Sequence, residues 1–158
     1  MTTTGHATLA RSSTLALAVR DLVLLVARIG LGVMMLAHAK LEYDLGGSLA
    51  GVGQMFEQSG IPLASLTGPA NVLFEVVGGI AMILGAAVPI VGVLMALNMV
   101  GAWVFVHTSG LFAMDRNGPE LVIALGLLGL VLAVTGSGRF GVDHLLARRL
   151  HRPSRTAS

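Results

Sequence analysis

Apolar residues dominate four stretches of the chain, at about residues 22–39, 70–88, 90–107 and 121–135. An α-helix rises 1.5 Å per residue, so about 20 residues cross a hydrocarbon core of roughly 30 Å. The fourth stretch is short, but Pro119 and Glu120 can extend it. Inside lipid every backbone N–H and C=O needs an internal partner, which predicts four helices. The second stretch joins the third through a tight turn around Ala87, Val88 and Pro89, which predicts an antiparallel hairpin. The first connection, about residues 41–68, is long. Within it Leu49, Val52 and Phe56 recur at helical spacing behind Ser48, an N-cap type, before Gly60-Ile61-Pro62 turns the chain. Such a loop reads as a binding element or as a short helix lying on the membrane surface.

The reading is therefore all-α: a transmembrane four-helix bundle with a short helix in its long first loop. Residues 1–20, rich in Thr, Ser and Ala, form a loose leading segment, residues 21–138 the membrane domain and residues 139–158 a basic tail. In that tail Phe140, Val142, Leu145, Leu146 and Leu150 alternate with Arg148, Arg149 and Arg152, which predicts a basic surface helix on an anionic leaflet.

Composition supports lipid as the main solvent. Hydrophobic residues make up 54% and charged residues 11%, against about 25% charged in a soluble domain. Net charge is only +2, and the basic residues sit at the two ends, which argues against a nucleic-acid surface. Arg11, Arg20, Arg139, Arg148, Arg149, Arg152 and Arg155 flank the outermost stretches. The positive-inside rule then places both termini in the cytoplasm. The chain has no cysteine, which excludes thiolate metal sites and thiol relays within it. Ala37-His38-Ala39 has the look of a signal-peptidase site, but Arg28 interrupts the apolar run before it.

Ionisable groups in a span are costly, about 2.5–3.5 kcal/mol at the bilayer centre, and mark function by default. Arg28, Glu75 and Asn98 lie within spans, and His38, Lys40, His107 and Glu120 lie at span ends. With the expected orientation, Arg28, His38, Glu75, His107 and Glu120 gather toward the outer half as a candidate polar pocket. Arg28 and Glu75 are expected to pair as ions inside the bundle. Asn98 and His107 are nine residues apart, on opposite faces of an ideal helix, so both reach one pocket only if the helix unwinds between them. Asn98 and Lys40 are accordingly weaker candidates. The structural alternatives are an Arg28–Glu75 pair that only holds helices together, solvated interfacial histidines, and Glu120 acting on a helix N-terminus.

Arg28-Ile29-Gly30 leading to His38, then Gly60-Ile61-Pro62, resembles the opening of the DoxX family. The run from Glu75 through Gly78-Gly79 to Gly85 is similar to that family's central signature. Val106-His107, Gly110-Leu111-Phe112, Asn117-Gly118 and Glu120 continue the resemblance, and Gly136-Ser137-Gly138-Arg139-Phe140 with Asp143 closes it. It spans about residues 20–145. One departure is that Ala39 stands where the family often has Gly after the His, and the following Lys is displaced to Lys40.

The resemblance implies a four-helix inner-membrane bundle with a role in redox metabolism linked to quinones. On this reading the chain is a membrane subunit that binds quinone in the polar pocket. A partner protein brings the electron carrier, since the chain has no flavin or nicotinamide motif. His and Glu suit the proton movement that quinone reduction requires. Three alternatives stand beside it. One is a metal site on His38, Glu75, His107 and Glu120, for which no short-range motif speaks. The second is a proton-coupled small-molecule transporter working through Glu75. The third is a non-catalytic scaffold for a partner protein. A homo-oligomer is compatible with each.

Overall fold

In the computed structural model the backbone is described for residues 3–111 and 118–150, and side chains from Thr14 onward. Phe112, Asn117, Arg152 and Arg155, used above, lie outside the described residues, as does the side chain of Arg11. The described chain is entirely helical: α1 Thr3–Gly46, α2 Leu49–Gln58, α3 Ala64–Leu84, α4 Val88–Phe105, α5 Glu120–Thr135 and α6 Val142–Leu150. Three of these helices, α1, α3 and α4, are long and apolar enough to cross a membrane. The fourth apolar helix, α5, has 16 residues.

The helix boundaries follow local chemistry. No proline occurs in α1, and Lys40 pairs with Asp44 one turn on, so the helix continues past residue 39 to Gly46. Gly47 in the left-handed region (φ 67°) then reverses the chain. The Ser48 side chain accepts a hydrogen bond from Gly51 N at 3.0 Å and starts α2, as its sequence predicts. Gly60 (φ 74°) turns the chain toward α3, which begins at Ala64 rather than at residue 70.

Helix α1 packs along α3, and α4 packs along α5; lighter α1–α5 and α3–α4 contacts join the two pairs, and α2 lies against α1 and α3. Each pair closes on two facing glycines. A Cβ at Gly32 would meet the Gly79 carbonyl oxygen at 2.6 Å, and one at Gly79 would meet that of Gly32 at 2.8 Å. In α4 and α5 the same relation holds between Gly92 and Gly129, at 2.5 and 2.8 Å. Small residues that let backbones touch are the usual device of helix packing in lipid, where apolar side chains gain little by leaving the solvent. Leu31, Met35, Met82, Val88, Met95 and Leu132 form the core between the pairs. Outside it, Val33, Leu73, Leu97 and Val134 are exposed, as a hydrocarbon solvent requires.

The end of the molecule away from α2 is closed by the segment after α5. Asp143, in the first turn of α6, accepts hydrogen bonds from Ala87 N at 2.7 Å and Val88 N at 3.0 Å, and its own N–H donates to Gly85 O at 3.0 Å. Asp21 is buried and accepts a hydrogen bond from Arg139 N at 3.3 Å. The α3–α4 hairpin and the start of α1 are thus tied to the chain's closing residues.

Candidate functional site

Glu42 and Asn71 fix the register of α1 against α3. Asn71 Nδ2 donates to both carboxylate oxygens of Glu42, at 3.0 and 3.1 Å. Further along, Gly32 faces Gly79, and Arg28 Nη1 reaches Met82 O at 3.4 Å. In this antiparallel frame the α1 residue level with Glu75 is His38. Glu75 therefore lies beside Glu42 and within hydrogen-bonding reach of Asn71. His38 stands one turn before Glu42 and interacts with it.

These residues form one wall of a cavity of about 630 Å³ between the two helix pairs, at the α2 end. His38, Glu42, Thr67, Asn71, Glu75, Asn98 and His107 are its polar lining, and Phe56, Phe74 and Phe105 with four methionines supply much of the rest. That volume and an apolar wall with a few converging polar groups suit a small-molecule site. Glu75 is only 3% exposed, and its Oε2 has no hydrogen-bond partner among the described residues. His107 Nδ1 is likewise buried and without a partner among them. Buried polar atoms left unsatisfied cost free energy, so a ligand that pairs with them gains it.

The candidates from the sequence divide. His38, Glu75 and His107 come together as expected. Asn98 joins them because α4 ends at Phe105: His107 N bonds back to Ala102 O at 2.9 Å, five residues away, and this wider turn swings His107 onto the Asn98 side. Arg28 does not join them, and its expected pairing with Glu75 is absent. Ten residues separate Arg28 from the level of Glu75, about 15 Å along the helix. The span ends at residues 39 and 70 misplaced the register, because α1 runs on to Gly46 and α3 starts at Ala64. Arg28 is instead fully buried beside Gly85 and near Asp143. A Cβ at Gly85 would overlap its guanidinium. Lys40 is exposed and paired with Asp44. Glu120 folds back over Gly118 and lies outside the cavity lining.

Glu42 and Asn71 went unnoticed in the sequence. The available signal was spacing: each lies four residues from a recognised candidate, His38 or Glu75, on the same helix face. Among the described residues no three His, Asp or Glu side chains come together as metal ligands.

The polar wall is built from α1, α3 and the end of α4, and the residues that build it fall in one continuous stretch. The DoxX family model matches residues 23–108, which hold all seven polar lining residues. A protein of Bacillus subtilis (strain 168) named "Putative oxidoreductase CatD" is 29% identical over 119 residues, covering 75% of this chain and 83% of that protein. No solved structure matches the chain. Since the match takes in more than half of the chain and the whole of the cavity's polar wall, this protein belongs to the DoxX family.

Proposed function

We propose that this protein is a four-span inner-membrane subunit of a redox system, with both termini cytoplasmic, whose cavity opens toward the outer face and binds a quinone-type ring. The observation that carries this reading is the small set of polar groups from α1, α3 and the end of α4 that converge on an otherwise apolar cavity. A lipophilic ring entering from the bilayer would lie against Met and Phe side chains, with its oxygens toward His38, His107 and Glu75. The unpartnered Glu75 Oε2 and His107 Nδ1 suit such a ligand, because each needs a hydrogen-bond partner that the described chain does not provide. A quinone bound there supplies two-electron chemistry coupled to proton uptake. The chain's own part is to bind the ring and to exchange protons, with Glu75 as the buried exchanging group and His38 and Glu42 leading toward the α2 end. Electrons come from a partner protein. The relative named as an oxidoreductase supports the redox class.

The test is direct titration of the detergent-purified protein with a short-tailed quinone analogue. Saturable binding is expected, and Glu75→Gln should weaken it by about tenfold, the worth of one good buried hydrogen bond. If the analogue only partitions into micelles without saturating, the quinone reading fails.

A further inference from the structure

The charge of the cavity is one-sided in a way the redox reading leaves unused. Its described lining includes two carboxylates, Glu42 and Glu75, and neither a lysine nor an arginine. The two are neighbours on one wall, bridged by Asn71. Asn71 occupies both oxygens of Glu42, and Glu75 Oε2, in a side chain 3% exposed, has no partner among the described residues. Arg28, the buried cation nearest in the sequence reading, lies about 15 Å away along α1. A purely structural carboxylate in an apolar wall would be expected to have its acceptors filled. This pair instead faces an open cavity, whose other described titratable lining groups are His38 and His107.

The rest of the lining matches an occupant of that kind. Three of the chain's five phenylalanines, Phe56, Phe74 and Phe105, line this cavity. Their faces carry the negative lobe of the ring quadrupole, and a desolvated cation gains from lying against them. The methionine sulfurs beside them are polarizable and adapt to an apolar body.

We propose that the cavity is a receptor for lipophilic organic monocations, such as protonated amines or quaternary onium ions with aromatic bodies, with Glu75 as the counter-ion and Glu42 as its supporting charge. The occupant's apolar body contacts Phe56, Phe74 and Phe105, and its charge lies against the Glu75 carboxylate. This goes beyond the redox reading, since it concerns the charge of the occupant rather than its oxidation state.

Tetraphenylphosphonium and tetraphenylborate have nearly the same shape and opposite charge, and together they test the proposal on the unaltered protein. Equilibrium dialysis of the detergent-purified chain should show saturable binding of the phosphonium, displaced by the unlabelled compound, and at least tenfold weaker binding of the borate. Glu75→Gln and Glu42→Gln should each weaken phosphonium binding by about tenfold, the loss expected for one charge-assisted contact. Equal binding of both ions, or no saturable phosphonium binding, overturns the proposal; so does a folded Glu75→Gln protein that keeps its phosphonium affinity. Because the two-ion comparison uses the native chain, it decides the matter even if a variant does not fold. Displacement of phosphonium by the quinone analogue would place both in one cavity. Quinone binding without phosphonium binding would reject this proposal and leave the redox reading standing.

Discussion

Asp143 shows how one side chain holds two distant parts of the chain. Its carboxylate takes the N–H of Val88, the first residue of α4, and that of Ala87 just before it, a residue held at φ 51°. A left-handed non-glycine residue costs of order 1–3 kcal/mol and persists only where its surroundings enforce it. Asp143→Ala removes the cap and should lower stability by about 0.5–2 kcal/mol, as other N-cap losses do. The measurement is reversible unfolding in mixed micelles. Asp143→Asn keeps one of the two cap bonds, because its amide nitrogen cannot accept from the second N–H, and it removes the negative charge near Arg28. If the Asn variant is as unstable as the Ala variant, the single bond it retains contributes little beside the lost bond and the lost charge. Glu75 was legible in the sequence because a carboxylate amid apolar residues stands out. Glu42 was not, since the reading ended the helix before it.

At the scale of elements, two helix pairs are each closed by facing glycines. Valine at Gly32 or Gly79 must push α1 from α3, since its Cβ would lie below 3 Å from the facing carbonyl oxygen. Once one valine has separated the pair, the second should cost much less. Gly32→Val and Gly79→Val are therefore expected to be non-additive, with a coupling of about 0.5–3 kcal/mol. Gly79→Val and Gly129→Val act on different pairs and should add. Unfolding of the three single and two double variants measures both, and additivity within α1–α3 would count against the crossing described. The stripe of Glu75, Gly78, Gly79 and Met82 was legible as a packing face, and all four are buried. Which glycine meets which was not legible, because that depends on register between helices.

At the scale of the molecule, the proposed orientation puts α2 outside and α6 inside. The chain has no cysteine, so a single introduced one reports its own location. Gln58→Cys, at the exposed end of α2, should react with an impermeant maleimide on intact cells. Leu150→Cys, at the end of α6, should react only after the membrane is opened. The reverse pattern would invert the topology and place the cavity mouth in the cytoplasm. The apolar exposure of α1, α3 and α4 belongs to this scale too, because only a hydrocarbon solvent makes it favourable.

The sequence by itself determined the helical class, the apolar segments, the Ser48 cap and which ionisable residues were out of place in lipid. Those follow from backbone hydrogen bonding, transfer cost and local capping, which act within a few residues. Tertiary structure decided which of those groups meet. It set His38 level with Glu75, moved Arg28 to the opposite end beneath Gly85, and brought Glu42 and Asn71 into the polar wall. It also turned His107 onto the side of Asn98 by ending α4 at Phe105. The physical reason is that a slide of one helix along another changes no local pattern, yet each residue of slide shifts a pairing by 1.5 Å. Register is settled by where the glycine backbones touch, and the chemistry of the cavity depends on that contact.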